Sequence, residues 1–270
     1  MTIALEVEEM VGECLREAAR RFVLPFADPA LRPTATEKTP GEAVTSVDLA
    51  AEAYLAAELP RIVPHGRVIG EEQASAETGI LDGVETDSYW LVDALDGTAN
   101  FAAGSDDYAT LVALVRAGET IASWIYRPAD DVLFTARLGE GARRNGKALK
   151  IDQHKKPVHE LSGDVLTRFL PEDLKVRLHT NFSQIAKVGS GAKCIGVDYP
   201  AVIEGRKDFV VYWRTLPWDH TPGVLLIQEA GGVALRPDRS VYRPSRTLQG
   251  LIIATNVDVA DAVLTSVFDL

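Results

Sequence analysis

The stretch Trp90–Phe101, WLVDALDGTANF, sets two acids, Asp93 and Asp96, three positions apart where an apolar run meets a Gly-Thr turn. Carboxylates held that close repel one another, so the arrangement is stable only if both are solvated or if they share a cation. If Gly97 and Thr98 open a tight turn or a helix, their backbone N–H groups point at one spot, which is how a phosphate is cradled without a basic side chain. Two further acidic sites follow the same rule of a carboxylate at the mouth of a turn. Glu71 and Glu72 come after the short run Arg67-Val68-Ile69-Gly70, and Asp219 sits in Trp218-Asp219-His220-Thr221-Pro222-Gly223 ahead of an apolar helix, Val224 to Ala230. A hard cation such as Mg²⁺ takes oxygen ligands, which suits all of them. Each also has an ordinary alternative: Asp-Gly turns are common on surfaces, adjacent glutamates are usually solvated charge, and an Asp before a helix is by default its N-cap.

Several other chemistries are excluded. An EF-hand loop starting at Asp93 needs Glu at its twelfth position, where Gly104 stands. Gly141 to Lys147 has Walker A spacing, but Ala148 replaces the Ser or Thr that would hold Mg²⁺ and a strand follows, so the segment reads as a hairpin turning at Asn145-Gly146. Phosphatases that pass through an aspartyl-phosphate need two Asp residues two positions apart after a strand, and no convincing pair is present.

The elements that must position these acids are visible as periodicity. Leu5 to Val23 carries apolar residues at helical spacing and is ended by Pro25. Asp28 to Gly41, with three prolines and a glycine, reads as an irregular excursion. A second helix is expected from Ser46 to Leu59, entered through a capping box of Thr45 and Asp48 and closed by Pro60. Tyr108 to Ala117, Thr120 to Arg127 and Val132 to Ala136 predict an antiparallel meander. Beyond Pro157, strand-like runs (Leu161 to Leu166, Asp208 to Trp213, Gly250 to Ala254) alternate with helix-like ones (Gly191 to Glu204, His220 to Ala230, Asp258 to Phe268). That alternation predicts a second α/β half, and the division falls between residues 1–153 and 154–270.

With 270 residues and 46% hydrophobic content the chain can bury a sizeable core. Its net charge of −11 repels an extended nucleic acid, and Arg143, Arg144 and Lys147 are too short a run to reverse that. The two cysteines, Cys14 and Cys194, stand far apart without a CxxC or Cys/His cluster, so neither a disulfide framework nor a zinc site is expected. The first residues, MTIALEVEEM, carry acids where a secretory signal carries bases, and no apolar run reaches membrane-spanning length. A soluble, cytoplasmic protein is expected.

Taken together, the acidic motifs make the chain similar to the inositol monophosphatase family of Mg²⁺-dependent, lithium-sensitive phosphatases. The family's G-E-E stands as Gly70-Glu71-Glu72, its D-P-[IL]-D-G-T-x-N-F as Asp93 to Phe101, and its W-D-x-x-x-G as Trp218 to Gly223. Lys38, Val44 to Asp48, the Gly139 to Gly146 hairpin and Gly189-Ser190-Gly191-Ala192 are weaker echoes. The resemblance implies a layered α/β/α/β/α sugar-phosphatase fold, an antiparallel N-terminal sheet with helices, a smaller C-terminal α/β half, and a site between the halves. It implies two or three Mg²⁺ ions. Glu71, Asp93 and the Leu95 carbonyl would hold one, Asp93, Asp96 and Asp219 a second, with Glu71 helping a third. Thr98 and Asp48 would orient and deprotonate water, Gly97 and Thr98 would bind phosphate, and Ser190, Gly191, Tyr212 and Arg214 would meet the substrate. A homodimer is implied by the same analogy.

Three departures stand out: Ala94 replaces the motif's proline, Thr221-Pro222 replaces a small pair in what should be a helix's first turn, and Tyr212 stands where the family's inositol-binding Glu would be. The expected activity is phosphomonoester hydrolysis of a small polyol or sugar-type phosphate. Histidinol-phosphate phosphatase and 3′(2′),5′-bisphosphate nucleotidase are the enzyme alternatives, and a regulatory or binding member of the fold is the alternative from another class.

Overall fold

The computed structural model describes residues 3–39, 42–64, 66–77, 79–82, 86–153, 156–181, 185, 187–245 and 248–268. Residues 40, 41, 154 and 155, on which parts of the expected excursion and half-boundary fall, lie outside the described residues. In chain order the elements are α1 (Leu5–Ala18), β1 (Thr36–Thr39), β2 (Glu42–Val44), α2 (Ser46–Ile62), β3 (Arg67–Gly70), α3 (Glu71–Ala76), β4 (Ser88–Asp96), α4 (Thr98–Ala102), β5 (Ala109–Arg116), β6 (Glu119–Arg127), β7 (Val132–Arg137), β8 (Gly141–Arg144) and β9 (Lys147–Leu149). There follow β10 (Ser162–Val165), α5 (Glu172–Asn181), β11 (Lys187–Gly189), α6 (Ile195–Ile203), β12 (Phe209–Tyr212), α7 (Pro217–Glu229), β13 (Val233–Leu235), β14 (Leu251–Ala254) and α8 (Val257–Val263).

Seven strands in the order β3 to β9 form one sheet, antiparallel throughout except for the parallel pair β3 and β4. Its central strands β4, β5 and β6 are apolar on both faces because both faces are covered. On one side α1 and α2 bury Val11, Leu15, Leu55 and Leu59 against Trp90, Val92 and Trp124. On the other, α6 and α7 fill the space before a second sheet, ordered β11-β10-β12-β14-β13 and of mixed direction. The outer face of that sheet packs on α8 and the turn after it, through Phe209, Ile252, Val259 and Val263. The result is a layered helix/sheet/helix/sheet/helix α/β fold. No helix among the described residues is long and apolar enough to cross a membrane.

Several local expectations hold at residue level. The capping box is present, with Thr45 Oγ1 accepting from Val47 N–H at 3.2 Å and Asp48 Oδ2 accepting from Thr45 N–H at 2.9 Å. Asn145 (φ 48°) and Gly146 (φ 75°) both take the left-handed conformation that a two-residue hairpin demands.

Others are corrected. The segment read as irregular contains the β1–β2 hairpin, Thr36 paired with Val44, whose strands are too short and polar to show an alternation. The second helix runs through Pro60 to Ile62. A proline this near the end leaves unpaired only the carbonyl four residues back, and Ala56 is on the exposed face where water can take it. The first helix is α-helical only to Ala18, then widens into a π turn over Ala19–Val23. Helix α5 carries almost no apolar pattern from which to read it, while α6 starts four residues later than its composition suggests.

Candidate metal centre

Three elements deliver three carboxylates to one place. Glu71 is the first residue of α3, directly after β3, and Asp93 lies near the end of β4. Asp219 comes from the second half of the chain. It is the third residue of α7, whose N-cap is Leu216, so the default reading of Asp219 as an N-cap does not apply. Pro222 likewise lies in the second turn of α7 rather than the first. One carboxylate oxygen from each of Glu71, Asp93 and Asp219 lies within 4.8 Å of the others.

Asp93 and Asp96 are three residues apart, and in a regular strand that spacing would send them to opposite faces. The register with β5 runs from Asp93 opposite Leu111 to Asp96 opposite Ala109, so β4 carries one extra residue. This bulge turns both acids toward the same cavity. It is held from behind by Thr110, whose hydroxyl donates to the Ala94 carbonyl at 2.9 Å. The strand therefore does not end at Val92, as an apolar count suggests, but runs to Asp96. Gly97 then takes φ 84°, and a Cβ there would stand 2.7 Å from the Asp107 carbonyl oxygen and 3.3 Å from Cys194 Cβ. Only glycine fits this turn into α4.

Each acid is tied in place. Asp93 Oδ1 accepts the Leu95 N–H at 3.0 Å. Asp96 Oδ2 accepts from the Gly196 N–H at 2.8 Å and from the Cys194 thiol at 3.1 Å, so it stands beside the three-carboxylate cluster rather than within it. The Thr98 hydroxyl lies 2.7 Å from Asp48 Oδ1 and 2.9 Å from the Leu95 carbonyl, and its single proton serves one at a time. Asp48 thus caps α2 with one oxygen and meets Thr98 with the other.

The first turn of α3 is fixed by a residue the sequence reading missed. Glu52, buried on α2, accepts the N–H of Glu72 at 2.8 Å and of Gln73 at 2.9 Å. It follows Asp48 by four residues, so the two acids share one helix face, and that inward pair is the signal that could have found it.

The electrostatics are those of a site short of positive charge. Burial raises Asp93 well above the usual carboxylate range, and the charges of Glu71, Asp96 and Asp219 add to it. Asp219 is raised in the same way, by burial and then by Glu71 and Asp96. Burial brings Asp96 up to about 7 even though the Gly196 N–H opposes it. Lys38, from β1, offers one compensating charge: its ammonium donates to Glu71 Oε1 at 2.6 Å and to Glu72 Oε1 at 2.7 Å. Lys38, with Arg214 acting on Asp219 from further off, is outnumbered by Glu71, Glu72, Asp93, Asp96 and Asp219, which leaves an excess of negative charge and carboxylate oxygens. That is the donor chemistry a hard divalent cation needs.

Glu71, Asp93, Asp96 and Asp219 line a cavity of about 620 Å³. Ser190, Tyr212 and Arg214, expected on the substrate side, line it, whereas Gly191 is not among the lining residues. A Cβ on Gly191 would instead approach Leu166 and Asp198. Tyr212 is buried, and its hydroxyl donates to Asp198 Oδ2 at 3.3 Å. Arg214 pairs with Glu42 of β2 and lies over the Phe169 ring, 4.1 Å from its centroid. Glu42, Arg168, Phe169 and Lys193 also line the cavity and were not singled out in the sequence, and Cys194, weighed there only for a disulfide or zinc, lines it too. Only tertiary placement distinguishes them from ordinary strand and loop residues.

Comparison with known proteins agrees with this geometry. The sequence profile described as "Inositol monophosphatase family" matches residues 2–269. The chain is 31% identical over 245 residues to the "Nus factor SuhB" of Escherichia coli (strain K12), covering 87% of this chain and 86% of that one. It is 32% identical over 238 residues to an "Inositol-1-monophosphatase" of Mesorhizobium japonicum, covering 85% and 84%. Among solved structures, the Thermotoga maritima IMPase superposes with a TM-score of 0.81 at 22% identity, covering 98% of each chain. The Bartonella henselae extragenic suppressor protein suhB gives 0.82 at 22% identity, over 97% of this chain and 98% of that one. With the profile spanning nearly every residue and the three acids converging as its motifs imply, the chain belongs to the inositol monophosphatase family.

Proposed function

We propose that this protein is a Mg²⁺-dependent phosphomonoesterase acting on a small polyol or sugar-type phosphate. The observation that carries the reading is the convergence of Glu71, Asp93 and Asp219, from three separate elements, within 4.8 Å. Two or three Mg²⁺ ions held by Glu71, Asp93, the Leu95 carbonyl, Asp96 and Asp219 would supply Lewis-acid chemistry, making water more acidic and offsetting charge on the phosphoryl and leaving oxygens.

The chain's own residues do the rest. The Thr98 hydroxyl, 2.7 Å from Asp48 Oδ1, takes a proton from the attacking water as it passes its own to Asp48. Asp48 is suited to this because burial raises its pKa, making it a stronger base than a solvated Asp. The N–H groups of Gly97 and Thr98 bind phosphate oxygens. A new bond from water oxygen to phosphorus forms as the ester P–O bond breaks, and the alcohol leaves with a proton from solvent, without a phosphoenzyme. Residues 1–153 bring most of these groups and residues 154–270 bring Asp219 and the substrate wall.

The test is phosphate release, with and without Mg²⁺, across inositol, histidinol, sugar and nucleotide phosphates. Release that requires Mg²⁺ is expected, and silence across the whole panel would refute the enzyme reading. A second reading, a binding or regulatory member, is favoured by the likeness to a relative named a Nus factor. It predicts a partner that co-purifies with a variant lacking the acids. A cytoplasmic homodimer that binds no nucleic acid completes the proposal, and sedimentation of the purified chain checks the dimer.

A further inference from the structure

The bulge that turns Asp93 and Asp96 toward one cavity must be held against the regular pairing on either side of it. Leu111 pairs with Asp93 and Ala109 with Asp96, so two residues, Ala94 and Leu95, face the single residue Thr110. All three are buried, where backbone groups that the extra residue takes out of the ladder need partners within the protein. Side chains supply them. The Leu95 N–H donates to Asp93 Oδ1 at 3.0 Å, the Leu95 carbonyl lies 2.9 Å from the Thr98 hydroxyl, and the Ala94 carbonyl accepts from the Thr110 hydroxyl at 2.9 Å.

The first two of these bonds involve groups with other work. Asp93 and the Leu95 carbonyl are expected to hold Mg²⁺, and the single proton of Thr98 is the one passed to Asp48, 2.7 Å away. Thr110 carries no such demand. Neither it nor Ala94 lines the cavity, and its hydroxyl stands in a strand that is otherwise apolar from Ala109 to Val115. Its bond to Ala94 is the one of the three that the chemistry leaves in place. Without it the Ala94 carbonyl is stranded, and sliding by one residue into regular pairing is how β4 would recover a partner. A one-residue slip reverses the face each side chain takes, so it would carry Asp96 away from Asp93.

We propose that Thr110 is a positioning residue for the metal centre: its hydroxyl locks the β4 bulge and so fixes Asp93 and Asp96 on one side before any cation arrives. It supplies a rigidity that Ala94 lacks. Proline, which the family motif has at this position, fixes its own φ, and a bulge is one of the few places within a sheet that admits it. The inference rests on the reading of these acids as cation ligands.

Mn²⁺ binding to the whole chain, followed by EPR, tests it without any substrate. Thr110→Val keeps the side chain's shape and removes its hydroxyl, and should weaken binding by about tenfold, the scale of one buried hydrogen bond. Thr110→Ser keeps the hydroxyl and should bind as the parent does. Ala94→Pro should change little by itself yet restore most of the affinity when added to Thr110→Val, because both act on the same bulge. A lower melting temperature with Mn²⁺ affinity intact would make Thr110 merely structural and overturn the inference. So would Thr110→Ser binding as weakly as Thr110→Val, or strictly additive effects of the two substitutions. Should Thr110→Val fail to fold, a double variant that folds and binds like the parent supports the inference, and one that does neither overturns it. A parent chain that binds no Mn²⁺ would refute the metal reading and this inference with it, whereas parent binding that Thr110→Val leaves untouched overturns this inference alone.

Discussion

Asp93 is the residue on which the site turns, and its environment makes its replacement informative in two ways. An amide at this position cannot supply the charge that draws cations, so Asp93→Asn should reduce Mg²⁺-dependent phosphate release by at least about a thousandfold, with circular dichroism unchanged. In the metal-free protein the same change should stabilise. Burial and the neighbouring acids raise the folded-state pKa of Asp93, so between the unfolded and folded values the folded chain binds more protons than the unfolded one. Stability is then lost as pH rises from about 4, where unfolded carboxyls titrate, toward the region near 7 where Asp96 ionises. Asn cannot ionise. In EDTA, the melting temperature of the variant minus that of the parent should be near zero at pH 4 and positive at pH 7.5. A difference that stays flat with pH would mean the acids do not strain the folded chain.

At the scale of elements, the position of Glu71 depends on how α3 meets α2. The Glu52 carboxylate takes two N–H groups from the first turn of α3, and a Cβ on Gly70 would sit 2.1 Å from the Glu52 carboxyl carbon. Glycine is needed at 70 for close approach, since its φ of −94° is open to any residue. Glu52→Ala should leave both N–H groups short of a partner and cost about 1 to 3 kcal/mol, read as a lower denaturation midpoint. It should also weaken Mn²⁺ binding, measured by EPR, because Glu71 loses the brace of its helix. Gly97→Ala combines a left-handed backbone with a contact 2.7 Å from the Asp107 carbonyl oxygen. Loss of about 1 to 3 kcal/mol is expected in the same assay, together with lower kcat, since α4 and Thr98 must shift. An unchanged midpoint in either variant would show that the turn has slack its geometry does not suggest.

Across the whole molecule, the two halves share a core. One continuous cluster joins Leu111, Ile125 and Phe134 of the large sheet to Tyr199 of α6, Leu225 and Leu226 of α7, and Val210 and Ile253 of the small sheet. Helix α7 therefore does two things at once: its apolar length fills the layer between the sheets, and its first turn carries Asp219 to acids that come from the other half. Calorimetry should show one unfolding transition, because neither half can bury its inner face alone. Two separated transitions would refute this.

Much of the site was legible because its chemistry is local. Asp93-Ala-Leu-Asp-Gly-Thr, Gly-Glu-Glu and Trp-Asp are short runs in which acid, turn and helix start lie side by side, and the capping box and the Asn145-Gly146 hairpin depend only on neighbouring residues. The short β1–β2 strands and the nearly patternless α5 were not legible, since neither has a periodic apolar face from which to be read. Which acids meet is a separate matter. That Asp93 and Asp96 face one cavity follows from a single extra residue in β4, and that Asp219 joins them follows from the packing of α7 between two sheets. The sequence by itself determined the residue types, the turns and the family's motifs. Tertiary structure alone decided that Glu52 braces α3, that the Tyr212 hydroxyl belongs to Asp198, and that Arg168, Lys193 and Phe169 ring the same cavity. Such contacts join residues apart in the chain: spacing marks Glu52 as an inward acid beside Asp48, but it does not say which N–H groups that acid meets.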